Sequence, residues 1–455
     1  MFFSKRLLNF LASLILLSGW LASSDVNASN EQHPPLVRSD VWLERELPLS
    51  LHRIFKNVSP SDARPGAVVA AQTRYNPNYY YHWVRDAALT MEALISHYNL
   101  NSAQHRQAAK EQAVIRQKLI EYFEFSHHIQ NVQSLEGLGE PKFHVDGSAY
   151  NEPWGRPQND GPALRALSLI HFAKILINEG HIDLVRARFY NPKLANGSVI
   201  KRDLEFVSHQ WRHSSFDLWE EVRGDHFYTR MVQRRALLEG AELASTLGDA
   251  GAAQWYAKQG REIERDLHHF WSQQHGHYLT TRHRTGGLDY KHSQLDVAFV
   301  LGLLHGSLDD GFLGFSDPKV LETFHQIAQS FARIYPINHN STNMGLAIGR
   351  YPEDMYGGSH FNHGNPWVLC TLAFAEAYYR AAFEAELRND INRAHEWRQK
   401  GDSYIRRVQF HTGSDGSLNE QFDRHNGYMT SVEDLTWNYA AILTTHLART
   451  NLRNK

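Results

Sequence analysis

Cysteine is almost missing from this chain: Cys370 is the only one in 455 residues. No intramolecular disulfide can form, so a hydrophobic core has to hold the fold together. A charge excess is missing as well. Lys and Arg number 47 against 49 Asp and Glu, a formal net charge of −2, which removes the electrostatic basis for binding nucleic acid or an anionic lipid surface. The 28 histidines form no HExxH and no compact ligand cluster, so no metal is expected. A Gly-rich phosphate loop and a G-x-S-x-G elbow are also absent, and with them the usual signs of nucleotide and serine-hydrolase chemistry. Nothing in the chain calls for a cofactor. No βαβ alternation is visible, which argues against a parallel α/β fold.

One long apolar run does occur, at the very start. Leu7 to Leu21 follow Lys5 and Arg6, and Val26-Asn27-Ala28 closes the segment with small residues, the pattern of a cleavable secretory leader. A membrane anchor is the competing reading, since the run is near the lower length limit for spanning. The expected organisation is a leader over 1–28, a polar stub over 29–39 and a single domain over 40–455. Export to a periplasm or to the medium follows, with no membrane attachment after cleavage and a monomeric product. Sequons stand at Asn57, Asn196 and Asn340.

With 42% hydrophobic and 12% aromatic residues, the chain can bury a large core. Apolar periodicity and capping signals predict twelve helices, near 40–54, 86–99, 105–127, 160–178, 202–211, 225–247, 250–271, 293–306, 317–334, 366–388, 391–410 and 434–450. Asp86, Asp160 and Asp434 read as residues that start or cap three of them. Only short extended pieces are expected, near Val68-Val69-Ala70-Ala71 and as a hairpin from Tyr278 to Tyr290. Twelve helices without a low-complexity break imply one all-α domain.

Carboxylates offer the best chemistry. Asp217, Glu220 and Glu221 stand at i, i+3 and i+4, and a helical segment would put all three on one face. Phe216, Leu218, Trp219 and Val222 interleave with them. A carboxyl crowded by other carboxylates and apolar rings has a raised pKa, as a general acid near neutral pH requires. A solvated acidic helix face is the alternative reading of the same pattern.

The loops between helices hold the remaining candidates, as long loops in compact domains often do. Arg85 beside Asp86 offers rigid donors next to acceptors, a pairing suited to sugar hydroxyls. Trp154 sits among Gly and Pro, where a stiff loop can present an aromatic face to a pyranose ring. Further rich loops are Gly349–Asp354, leading to Trp367, and Gly416–Asp423, leading to Ser431 and Trp437. Cys370 lies in the apolar run Trp367–Phe374 and reads as a structural thiol.

Five stretches, Tyr79–Met91, Gly137–Ala166, Asp217–Val222, Arg350–Thr371 and Leu418–Ala441, resemble in order those of glycoside hydrolase family 15, the fungal and bacterial glucoamylases. The strings Gly139-Glu140-Pro141-Lys142-Phe143 and Trp154-Gly155-Arg156-Pro157-Gln158 are the specific part of that resemblance. The resemblance implies an (α/α)6 barrel and inverting hydrolysis of α-1,4 bonds from the non-reducing ends of starch, glycogen or maltooligosaccharides. It implies Glu220 as general acid and Glu420 as general base, with Ser431 hydrogen-bonded to the base. Tyr79, Trp83, Arg85 and Asp86 would hold the terminal glucose. Trp154, Glu221, Arg350, Asp354, Trp367 and Trp437 would line neighbouring positions, and Asp217 would belong to the acid's surroundings. Glu221 and Asp217 would keep Glu220 neutral by like-charge repulsion. Two departures stand out: Asn419 replaces the usual Ser before the base, and the loop Gly357–His363 is longer than in the fungal enzymes. Rival readings are another (α/α)6 α-glucosidase, acting on isomaltose or trehalose, and a glucan-binding protein without catalysis.

Overall fold

The structure, a computed structural model, describes residues 36–100, 106–194, 198–339 and 343–450. The expected leader, most of the stub and the sequons at Asn196 and Asn340 lie outside the described residues. The helices are α1 (Ser39–Asn57), α2 (Val84–Leu100), α3 (Arg106–Asn131), α4 (Gly161–Asn178), the three-residue α5 (Ile182–Leu184), α6 (Val199–Gln210), α7 (Phe227–Thr246), α8 (Ala250–Leu267), α9 (Ala298–Gly306), α10 (Pro318–Ile334), α11 (Val368–Leu387), α12 (Ile391–His411) and α13 (Thr436–Arg449). All twelve helices expected from the sequence are present, with ends shifted by a few residues.

Packing sorts them into two rings. Helices α2, α4, α7, α9, α11 and α13 each touch the next, and α13 returns to α2. Around them, α1, α6, α8 and α12 pack against α13, α4, α7 and α11 respectively. The chain alternates outer and inner helices, which is the (α/α)6 barrel. Composition explains the sorting. In the inner helix α11, residues Val368 to Tyr379 are buried without a break. In the outer helix α10, burial is confined to Val320, Thr323, Phe324, Ile327, Ala328 and Phe331. That is the one-faced stripe of an amphipathic helix. Outer helices carry the sharp N-terminal signals: Asp249, Asp317 and Asp390 cap α8, α10 and α12 through side-chain oxygens. Inner helices also approach closely. A Cβ on Gly306 of α9 would stand 2.6 Å from the backbone of Met231 in α7.

The alternation has one consequence that matters for function. Every outer-to-inner connection emerges at the same end of the barrel, and these are the long loops: 58–83, 132–160, 211–226, 268–297, 335–367 and 412–435. Most inner-to-outer connections are short; that between α7 and α8 spans only 247–249. The N-terminal ends of all six inner helices therefore point toward the loop-rich face, bringing their partial positive charge with them.

Short strands brace the loops. β1 (His82–Trp83) pairs with β2 (Lys142–Phe143), and β3 (Ser215–Phe216), β4 (Val222–His226) and β7 (Thr281–Gly287) form a three-stranded sheet. β5 (Trp271–Ser272) pairs with β6 (His277–Tyr278), and β8 (Gln421–Phe422) with β9 (Met429–Thr430). Four local expectations need correction. Residues 278–290 do not fold back on themselves as a hairpin, because β7 pairs with the distant β4. Val68 makes only an isolated bridge, to Val58. Asp86 lies in the first turn of α2, which already starts at Val84. Asp434 does not cap α13; it accepts from Tyr439 and Arg53 instead. The sequon Asn57 is buried, and its amide donates to Thr436 Oγ1 at 2.7 Å. Cys370 is fully buried in α11, where desolvation drives its thiol pKa well up.

α4 and α6 are joined across the rings by a bidentate pair, Arg165 with Asp203, at 2.8 and 2.6 Å. Both side chains are buried, and Arg165 holds back the rise that burial imposes on the Asp203 carboxyl. Asp203→Ala strands a buried guanidinium and is expected to cost about 3–5 kcal/mol. Pairing it with Arg165→Met recovers most of that loss. Chemical denaturation of the three proteins checks this, and a single variant as stable as the parent would contradict it.

Candidate active site

Five of the six long loops line a cavity of about 580 Å³ at the loop-rich face, a size suited to small sugars. Of the expected site residues, Tyr79, Trp83, Arg85, Asp86, Trp154, Glu220, Glu221, Arg350, Trp367, Glu420 and Trp437 line it. Asp217, Asp354 and Ser431 stand behind the lining and act on residues that form it.

The segment 217–222 is a tight turn between β3 and β4, not a helix. Asp217 Oδ1 accepts the backbone N–H groups of Glu221 at 2.7 Å and Val222 at 3.0 Å, while Glu220 N–H donates to the Asp217 carbonyl at 2.9 Å. These bonds hold Glu220 at φ 67°, a left-handed conformation that few non-glycine residues adopt. Two glycines let other chain segments reach this turn. A Cβ on Gly155 would lie 2.5 Å from the Glu220 carbonyl oxygen, and one on Gly287 would lie 2.1 Å from that of Glu221.

The turn sends its three carboxylates to different partners. Asp217 Oδ2 meets Lys291 at 3.2 Å, and Lys291 also binds Asp296 at 2.8 Å. Burial works to raise the Asp217 carboxyl, yet Lys291 and His226 outweigh it and hold the group below the ordinary aspartate value. Glu221 meets Arg350 at 2.8 Å and Tyr351 Oη at 2.7 Å. Arg350 in turn grips Asp354 through two bonds of 2.8 and 2.6 Å. The expected like-charge pressure on Glu220 is therefore not how the site is built, because both neighbouring acids are matched to cations.

Glu220 faces a different set of donors. Its Oε1 accepts Trp83 Nε1 at 2.8 Å and Gln158 Nε2 at 3.1 Å, with Arg85 at 3.4 Å. Arg85 is anchored first to Asp160 and to Gln158, at 2.9 and 2.8 Å. Asp160 thus serves both: it stands just before α4, where its carbonyl accepts the Leu164 N–H at 3.0 Å, and its side chain holds Arg85 instead of capping the helix. Asp86 lies 3.8 Å from Arg85 Nε. Burial pushes the Asp86 carboxyl up to about 7, with Arg85 opposing the rise and Glu220 adding to it.

Glu420 enters from the far side. Its Oε2 accepts Ser431 Oγ at 2.5 Å and Gln421 Nε2 at 3.0 Å, and its Oε1 accepts Tyr79 Oη at 2.8 Å. All three donors are neutral. Burial raises the Glu420 carboxyl above the ordinary glutamate value, and the bonds from Ser431 and Tyr79 hold that rise back. Tyr79 is linked in turn to Tyr356 Oη at 2.9 Å. Tyr356 belongs to the stretch that leads into the long loop, which also lends Gly358 and the rim residue Phe361 to the cavity.

Sequence reasoning missed Gln158, Asp160, Lys291, Tyr356 and Lys142 as members of this site. Gln158 and Lys142 stood inside the motif strings, but their partners come from other loops. Lys291 had no motif of its own. Among the described residues, no group of three or more His, Cys, Asp or Glu is placed to hold a metal ion, and no helix is long and apolar enough to cross a membrane.

The chain is similar to several glucoamylases in sequence and in fold. The chain is 34% identical to the glucoamylase of Blastobotrys adeninivorans over 88% of its own length and 70% of that protein. It is 34% identical to glucoamylase 1 of Rhizopus oryzae, over 90% and 70%. The solved glycoside hydrolase family 15 glucoamylase from Hypocrea jecorina superimposes with a TM-score of 0.81 at 30% identity, covering 91% of this chain and 73% of that one. Residues 50–447 match the sequence profile of the glycosyl hydrolases family 15, and the chain belongs to that family.

Proposed function

We propose that this enzyme releases β-glucose from the non-reducing ends of α-1,4-glucans, with Glu220 as general acid and Glu420 as general base. One observation carries the assignment: the two carboxylates come from loops that precede α7 and α13, which lie opposite each other in the inner ring. Inversion needs a water between the base and the sugar, and so a gap of roughly 6.5–9.5 Å between carboxyl groups. Carboxylates on facing walls can span such a gap; neighbours in one turn, such as Glu220 and Glu221, are poorly placed for it.

The hydrogen bonds fit those roles. Among the described residues every donor to Glu220 converges on Oε1, leaving Oε2 as the oxygen that carries the proton toward the glycosidic oxygen. Glu420 Oε1 has one donor, Tyr79, and keeps a lone pair for the attacking water. Its raised pKa strengthens it as a base. Arg85 and Asp86 present a donor and an acceptor side by side for the hydroxyls of the terminal glucose, and Trp83, Trp367 and Trp437 supply ring faces. Export by the leader over 1–28, and action as a monomer on the domain from residue 40 onward, complete the reading. The leader's basic start and small-residue end support export.

Glu220→Gln should lower kcat on maltose by roughly 10²–10⁴-fold, the usual worth of general acid catalysis. Most activity should return with α-glucosyl fluoride, whose leaving group needs no proton. Glu420→Gln should lose activity on both substrates. Retention of most maltose turnover by either variant would remove that residue from the mechanism.

Ser431→Ala removes a bond that favours the ionised base. The Glu420 pKa then rises, and the acid limb of kcat/KM against pH moves to higher pH. A limb that stays in place, or moves to lower pH, contradicts the assignment of Glu420 as the base.

A further inference from the structure

Lys291 is the cation on which the turn around Glu220 converges. Among the described residues it is buried behind the sugar cavity and does not line it. Its ammonium binds Asp296 at 2.8 Å and Asp217 at 3.2 Å, stands 3.9 Å from Glu221, and lies 3.9 Å from the centre of the Tyr351 ring. Burial works to lower its pKa, yet Asp296, Asp217 and Glu221 outweigh that and hold it above the ordinary lysine value. It stays charged wherever a glutamate pair can work.

Asp296 extends this grip. Its Oδ1 accepts Trp219 Nε1 at 2.8 Å and the N–H of Ala298, the first residue of α9, also at 2.8 Å. Asp217 Oδ1 already holds the N–H groups of Glu221 and Val222. The side chains of residues 217, 219 and 221, which bracket Glu220, thus all lead to Lys291, directly or through Asp296. The segment that carries the lysine is itself tied down on both sides. Leu288 N–H donates to the Glu221 carbonyl at 2.9 Å, and Val297 N–H donates to the Arg350 carbonyl at 2.9 Å.

Charge cancellation alone does not account for this arrangement, because one lysine between two aspartates leaves a negative excess. What the ammonium supplies is a centre of three donors that ties both flanks of the turn to one point. Such ties matter because Glu220 is held at φ 67°, a conformation that an unrestrained glutamate would leave.

We propose that Lys291 is a positioning residue for proton donation: it fixes the 217–222 turn, through Asp217 and through Asp296 with Trp219, so that Glu220 is aimed at the glycosidic oxygen. This rests on the reading of Glu220 as the acid.

The test is Lys291→Met, assayed on maltose and on α-glucosyl fluoride. A misaimed acid should cost roughly 10–100-fold in kcat on maltose, with KM moving by less than about twofold. On the fluoride, whose leaving group needs no proton, kcat should stay within about threefold of the parent. In the Glu220→Gln background, Lys291→Met should remove less than about a further twofold on maltose, because both changes disable one function. A lysine that only supports the fold would lower both substrates alike, and that result overturns the proposal. Full maltose turnover by Lys291→Met overturns it as well.

Should Lys291→Met fail to fold, Asp296→Asn decides. It keeps an acceptor for Trp219 but loosens the hold of Lys291, so maltose turnover should fall roughly 3–10-fold while fluoride turnover holds. Equal effects on the two substrates, or none on either, would contradict the proposal. Failure of the acid assignment is separately visible, because Glu220→Gln would then keep its maltose turnover or lose the fluoride as well.

Discussion

The constraint behind this site is the cost of burying many carboxylates around one cavity. A buried charge without a partner costs several kcal/mol, and the loops meet that cost by giving most acids a cation. Asp160 has Arg85, Asp217 has Lys291, and Glu221 shares Arg350 with Asp354. Glu420 is treated differently, being held by hydroxyl and amide donors alone. Glu220 has only the third claim on Arg85, behind Asp160 and Gln158 in distance. Asp86, at 3.8 Å from Arg85, Glu220 and Glu420 are thus left without a cation of their own, and the last two come from loops on opposite sides of the inner ring.

The barrel makes this allocation possible. Because the chain alternates outer and inner helices, six loops meet at one end, and each contributes to the site. Residues distant in sequence become neighbours: Tyr79 with Glu420, Trp83 with Glu220, Glu221 with Arg350. The inner helices are largely buried and hold the loop ends in place. The turn at 217–222 is locked by side chain, sheet and glycine contacts together, and it keeps Glu220 in a conformation the residue would not choose alone.

Much of this was legible in the residues. Helix positions could be read because burial on one face or on all faces leaves a period in the chain, as in α10 and α11. The proposed catalytic pair was suggested by motifs that resemble those of a known family. The turn at 217–222 was misread as potentially helical because i, i+3, i+4 acids suit a helix face. An Asp that accepts two backbone N–H groups satisfies the same spacing in a tight turn. The source of Glu220's environment was misjudged for a related reason, since Lys291 and Arg350 arrive from loops 60 and more residues away and leave no local trace. Asp160 is the helix start that its surroundings suggested, and its side chain is also Arg85's counter-charge. Lys142 was visible as part of a motif, but the rings around it come from two segments, 81–83 and 150–154, and only the folded chain brings them together.

The central claim is that two facing carboxylates, one carrying a proton and one holding a water, act on opposite sides of the sugar. Proton NMR of maltoheptaose hydrolysis in its opening minutes tests this most directly, before the anomers of glucose interconvert. The account predicts that β-glucose appears first while the chain shortens one unit at a time. Early α-glucose would mean retention of configuration, and Glu420 could then no longer be the base that activates a water.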